Sequence, residues 1–228
     1  MKTQSNTGII IQARLSSQRC PKKMARPFGG TTLLDLAIQK LVNSKIPNNN
    51  IWVSVYEKEL IEICKKYPIN IFYRSEKSAL SEGTPLTEIF EWWNQIPHEY
   101  IVMVNGCTPF LTTKTIEDFY FSYLTSKENG MFGVVEKRNY FWNEKNELIS
   151  TIKGDSMNTK MVPVTKEAAH CLYAGSLRDI GKNVWMGDFS NPDSVNLFSI
   201  KEEETLDIDY EWQFSLYEKL YLLQKGEN

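Results

Sequence analysis

Four times in the first 126 residues, a short apolar run is followed by a segment whose apolar residues recur at helical spacing. Residues 8–13 (GIIIQA) read as a buried strand. Residues 31–44 then place Leu33, Leu34, Ala37, Ile38 and Leu41 on one helix face, with Thr31 or Thr32 as its cap. "IWVSVY" (51–56) and "EKELIEICKKY" (57–67) repeat the pattern, followed by a short strand "INIFY" (69–73) and a helix over 84–95 with Pro85 in its first turn. "YIVMVN" (100–105) and a helix over 112–126 complete the series. Alternation of this kind demands a parallel sheet covered by helices, and such sheets bind ligands beyond the carboxyl ends of their strands. The loops after Ala13, Tyr73 and Val104 are therefore expected to meet in space.

After residue 130 the pattern turns β-rich. "MFGVVEK" reads as a strand, "NYFWNEKNELIST" as a hairpin turning at Asn143–Asn146, residues 150–170 as irregular, and "HCLYAG" and "VNLFSI" (195–200) as further strands. An apolar-rich helix over about 209–224 closes the chain. There is no internal repeat and no Pro/Ser/Gly linker. The expected organisation is one domain over 1–228: α/β, a Rossmann-like, mostly parallel twisted sheet covered by helices, with an inserted β-rich arm at about 135–170.

The first strand runs into a loop that carries Arg14, Arg19, Lys22, Lys23 and Arg26, although the net charge of the chain is −2. That overall balance gives no electrostatic case for nucleic acid as a partner, so the cation cluster is local. It is either a solvated surface loop or a site for a strongly anionic ligand. A strand leading into a cationic loop and then a helix suits phosphate, because backbone N–H groups add to the side-chain charges. Neither GxxxxGK(S/T) nor GxGxxG is present, which argues against a P-loop ATPase and a nicotinamide dehydrogenase. Cys20, Cys64, Cys107 and Cys171 lack CxxC spacing and only His98 and His170 could join them, so structural zinc is not expected. No signal-peptide stretch and no run of about 18 apolar residues is found, so a cytoplasmic protein with no membrane partner is expected.

The stretch Q-A-R-L-S-S-Q-R-C-P-K-K, residues 12–23, resembles the signature of CTP-dependent cytidylyltransferases that activate acidic sugars, the acylneuraminate and CMP-Kdo synthetases and their relatives. Their pattern runs roughly (P/Q)-A-R-x-x-S-x-R-x-P-x-K. Ala13, Arg14, Ser17, Arg19, Pro21 and Lys23 fall on it. The resemblance implies that Arg14 and Lys23 hold a triphosphate, with Ala13, Ser17 and Arg19 in the same nucleotide-binding loop. It further implies that Arg74, Ser81 and Thr84 lie near the cytidine. "MVNGCTPFL" (103–111) departs from the family, with Asn105 where sialate-type members carry glutamine. Asn105 either contacts base or ribose, or closes its strand by bonding to backbone.

"TLDIDYEW" (205–212) is similar to the acidic element the family places before its last helix. Asp207 and Asp209, two apart in extended backbone, project to one side and can share a divalent cation, for which Mg2+ is the implied cofactor. Asp209 can equally serve as the cap of the final helix. His170 is either turned to the acceptor or structural. Trp92, Trp93 and the Tyr217/Tyr221 stripe read as core. Phe141–Trp142 on the arm reads as an apolar contact, and by resemblance as a homodimer interface. The implied reaction is CMP transfer from CTP to a small anionic acceptor, with Arg14, Lys23 and Asp207 as the catalytic residues. A nucleotide-sugar glycosyltransferase and a non-catalytic nucleotide-binding protein are the alternatives.

Overall fold

The computed structural model describes residues 1–80, 85–151 and 158–226, with the side chain of Pro192 left aside. The strand at 8–13 is β1 (Thr7–Gln12), and it lies inside a seven-stranded sheet. Ile9, Ile10 and Ile11 are all 0% exposed. A strand covered on both faces needs this continuous apolar run, because alternation with polar residues would bury unpaired dipoles. Ile9 and Ile11 join the core on one face, and Ile10 joins a second cluster with Phe90, Trp92 and Leu177 on the other.

The chain leaves β1 through a loop and a two-residue hairpin, β2 (Pro27–Phe28) and β3 (Thr31–Thr32), into helix α1 (Leu33–Val42). Thr32 caps α1 by accepting the Asp35 N–H at 3.1 Å. Strand β4 (Ile51–Val55) pairs parallel with β1, helix α2 (Lys58–Cys64) follows, and β5 (Asn70–Tyr73) pairs parallel with β4. Strand β6 (Tyr100–Val104) then lies on the other side of β1, also parallel. The strand order β5-β4-β1-β6 therefore reverses between β1 and β6, the point at which open α/β sheets leave a crevice for ligands.

The single helix expected over 84–95 is broken. Helices α3 (Glu76–Leu80) and α4 (Leu86–Ile89) are short, and Glu91–Asn94 forms a 3-10 turn. Phe90 and Trp92 both pack into the second cluster, and residues two apart cannot face the same neighbour from a straight α-helix. Helix α5 (Thr113–Thr125) agrees with its expected bounds, with Thr112 as its cap.

Strand β7 (Gly130–Lys137) and strand β8 (Thr165–Ser176) extend the sheet antiparallel, β8 beside β6. Strand β8 starts five residues before "HCLYAG", inside the stretch expected to be irregular. Its first part carries exposed Thr165, Lys166 and Glu167 and pairs only with β7, so it lacks an apolar pattern to announce it. The hairpin beyond β7 turns where expected: Trp142 bridges Leu148, and Asn143 N–H donates to Glu147 O at 3.0 Å. Helix α6 (Leu177–Ile180), strand β9 (Val195–Ser199) and helix α7 (Glu211–Lys225) complete the fold. No helix among the described residues is long and apolar enough to cross a membrane.

Two anchors shape the site end of the sheet. Lys40 on α1 donates to the Thr108 and Pro109 carbonyls at 3.2 and 2.7 Å, fastening the loop after β6. Burial lowers its ammonium to about 8, against the opposing pull of Glu204. The second anchor is the β2–β3 turn, where Gly29 and Gly30 take φ of 54° and 81°, as a two-residue hairpin of this type requires. A Cβ on Gly29 would sit 2.6 Å from the Tyr221 ring of α7, while one on Gly30 would meet nothing within 4 Å.

Gly29→Ala is expected to lose about 1–3 kcal/mol of unfolding free energy in urea, and Gly30→Ala less, because only the first adds a ring clash to the backbone strain. Lys40 sets a pH dependence. Its folded value of about 8 lies below the ordinary 10.5, so the unfolded chain binds more protons between these limits and stability from this group rises with pH across them. Urea midpoints of the wild type, measured against Lys40→Met from pH 8 to pH 10, should therefore climb.

Candidate active site

The basic loop folds back on itself rather than trailing into solvent. Ala13 N–H extends the β1–β4 ladder by donating to Ser54 O, Lys22 N–H returns to Leu15 O, and Leu34 N–H at the start of α1 donates to Met24 O. Cys20 and Met24 are buried beneath the loop. Lys22 takes a left-handed φ of 56° to close it. A cavity of about 360 Å3 opens over this loop at the β1/β6 reversal. Ala13, Arg14, Ser17, Arg19 and Lys23 line it together with Cys107 and Asp209. Residues 12–23 are thus brought together with the 205–212 segment.

The two segments are joined by charge. Lys23, with its side chain 11% exposed, donates to Ile208 O and to Asp209 Oδ1 at 3.2 Å. Arg19 reaches Asp209 Oδ2 at 2.9 Å and lies over the Tyr210 ring. Arg26 grips Glu211 through two nitrogens at 2.6 and 2.8 Å. Burial disfavours the Lys23 ammonium, but the carboxylates of Asp207 and Asp209 oppose it and Lys23 is shifted upward. Burial pushes the Cys107 thiol up to about 12, with Lys23 pulling the other way, so it stays protonated at neutral pH.

Asp207 is held differently from Asp209. Its Oδ2 accepts from Asn105 Nδ2 at 3.1 Å, while its Oδ1 is buried with no partner among the described residues. Burial raises its pKa, opposed chiefly by Lys23. A buried carboxylate oxygen with nothing to bind fits a hard cation that takes its other ligands from phosphate and water. Asp209 fits less directly, since both its oxygens face cations of the loop. No group of three or more His, Cys, Asp or Glu converges among the described residues, so a cation here would rely on the nucleotide for part of its shell. Asp209 does not cap α7: Gln213 Oε1 accepts both the Asp209 and Tyr210 N–H groups, leaving the Asp209 carboxylate to Lys23 and Arg19.

Asn105 closes β6 and also supports the site. Its N–H donates to Cys171 O, its amide donates to His170 O and Asp207, and its Oδ1 accepts from Cys107 N–H. His170 takes a left-handed φ of 52° beside a bulge in β7–β8, and its Nδ1 lies 3.0 Å from the Tyr173 hydroxyl. Arg74 does not line the cavity. It is 4% exposed and sits behind the loop, donating to Ala13 O at 2.8 Å. Arg14 Nη1 donates to Ala79 O at 3.3 Å. Ser81 and Thr84 lie outside the described residues. Trp92 is core, as expected, and its indole donates to Gln12 Oε1 at 2.8 Å. Sequence reasoning assigned no role to Gln12, which lines the cavity, or to Glu57, whose Oε1 accepts the Leu15 N–H at 2.7 Å. Gln12 stood within the quoted Q-A-R stretch, whereas no local signal marks Glu57.

The chain is similar in sequence and fold to known proteins. The chain is 24% identical over 151 residues to the pseudaminic acid cytidylyltransferase of Campylobacter jejuni, covering 61% of this chain and 64% of that protein. It is 27% identical over 116 residues to the spore coat polysaccharide biosynthesis protein SpsF of Bacillus subtilis, covering 48% of this chain and 46% of that one. The chain thus spans less than two thirds of the length of these curated relatives. Its fold matches that of a CMP:2-keto-3-deoxy-manno-octonic acid synthetase solved with CTP, at a TM-score of 0.69 and 11% identity over 98% of this chain and 100% of that one. The sequence profile of one family, described as Cytidylyltransferase, matches residues 8–171. The chain belongs to the cytidylyltransferase family.

Proposed function

We propose that this protein transfers CMP from CTP to a small acidic acceptor and releases pyrophosphate, in the synthesis of a surface polysaccharide. The observation that carries this reading is the cavity at the β1/β6 reversal, which Arg14 and Lys23 line together with Asp209. In the reaction, an acceptor oxygen bonds to the α-phosphorus of CTP, the bond from that phosphorus to the bridging oxygen breaks to release pyrophosphate, and a hydroxyl acceptor gives its proton to solvent. Such transfers depend on positioning and on neutralising charge as it develops. Arg14 and Lys23 hold the triphosphate and draw off charge on the departing pyrophosphate. Ser17 and Arg19 support the loop around it.

Bound Mg2+ would neutralise the α-phosphate and orient the acceptor. Asp207 Oδ1 is the atom suited to hold it, with Asp209 joining once Arg19 and Lys23 exchange that carboxylate for phosphate. Asn105 keeps Asp207 in place. The acceptor class is a nonulosonic acid, as in the name of the Campylobacter relative, or a group bearing phosphate, phosphonate or phosphoramidate. The exposed Trp142, Ile149 and Met161 on the arm support a homodimer through about 135–170. CTP as substrate fits a cytoplasmic location.

A pyrophosphate-release screen with CTP and Mg2+ against acidic sugars and phosphorylated or phosphonate metabolites should yield turnover with at least one acceptor and none after chelation. Absence of saturable CTP binding by calorimetry with Mg2+ present would refute the reading. Arg14→Ala should lower kcat by about 10²–10³-fold, the loss usual when one preorganised charge-stabilising donor is removed. Asp207→Asn should weaken Mg2+-dependent CTP binding in the same calorimeter while CTP binding without metal is retained.

A further inference from the structure

Resting on that reading, we infer that Glu57 is a positioning residue that, together with Arg74, fixes the backbone on either side of Arg14 and acts through Arg14. Three adjacent strands end level here. Ala13 N–H donates to Ser54 O across β1–β4, and Arg74 N–H donates to Val55 O across β5–β4. Just past these ends, side chains that follow β4 and β5 reach over to the loop that follows β1. Arg74 Nη2 donates to Ala13 O at 2.8 Å, and Glu57 Oε1 accepts the Leu15 N–H at 2.7 Å.

These two contacts are on consecutive peptide groups. Ala13 C=O belongs to the peptide before the Arg14 Cα, and Leu15 N–H to the peptide after it. With both planes held, the φ and ψ of Arg14 are set, and the direction of its side chain with them. The two groups that hold the planes carry opposite charge and are poorly hydrated. Arg74 is 4% exposed, and its Nε and Glu57 Oε2 are buried without hydrogen-bond partners among the described residues. Glu57 occupies the N-cap position of α2 but makes no side-chain bond to that helix; its carboxylate serves the neighbouring loop instead. Burial lowers the Arg74 guanidinium to about 10, Glu57 pulls it up, and Arg14 pulls it down, so Glu57 offsets the repulsion between two nearby guanidiniums. The two charges thus each hold one peptide plane beside Arg14.

Glu57→Ala should lower kcat/KM for CTP by about 10²-fold, the penalty expected when a catalytic group is misplaced by about 1 Å. Glu57→Gln retains an acceptor for Leu15 and should recover the larger part of the loss. In an Arg14→Ala background, Glu57→Ala should cost almost nothing further, because residues that act as a unit are not additive. Additive losses, or full activity in Glu57→Ala, would overturn the inference. Hydrogen exchange over residues 13–16 tests it without turnover: Glu57→Ala should speed exchange of the Leu15 amide while the β1 amides stay protected, and unchanged Leu15 protection would also overturn it. If the wild type neither binds nor turns over CTP, the functional reading fails, and the exchange result still decides whether Glu57 fixes the loop.

Discussion

Lys23 sits where the two ends of the chain meet, donating to Ile208 O and Asp209 from a position that is nearly buried. Without it, Ile208 O would lose its donor and Asp209 one of its two cationic partners. Arg19 with Asp209 and Arg26 with Glu211 reinforce the same seam from its exposed side, where screening makes each pair weak alone. The seam holds a carboxylate segment against a guanidinium-rich loop about 190 residues away in sequence. Phosphate and metal are the natural ligands for such an arrangement, since each can replace one partner of an existing ion pair.

The sheet explains why the seam forms at this place. Strand β1 is buried on both faces and parallel to both neighbours, so its carboxyl end opens onto the reversal between β1 and β6. The loop after β6 is fastened by Lys40, and Asn105 at its start ties β8 to Asp207. Arg14 and Asn105 are therefore carried just past strand ends, and Asp207 is one hydrogen bond from such an end through Asn105. Positions held in this way resist the displacements of a tenth of a nanometre to which transfer chemistry is sensitive.

Much of this was legible in the residues. Apolar periodicity located β1, α1, β4, β6 and α5 to within a residue or two, because these elements bury continuous or single-faced apolar surface. It did not anticipate the broken helix at 84–95, where Phe90 and Trp92 both turn to one cluster, or the polar first part of β8, whose pairing with β7 leaves it in water. The cation spacing in 12–23 marked the cavity. It did not show that Arg74 bonds the backbone of that loop at Ala13 O, while Arg14 lines the cavity.

By itself the sequence determined the α/β alternation, the family signature and the set of charged residues available to the site. Those properties are local, set by side-chain period and by spacing within a dozen residues. Only the tertiary structure decided which charges pair and which atoms stay unpaired: Asp209 to Lys23 and Arg19, Asp207 Oδ1 to no hydrogen-bond partner among the described residues, Glu57 to Leu15. The reason is that hydrogen bonding and desolvation act over a few ångströms in space, and the partners at this site come from strand ends and segments between 40 and 190 residues apart.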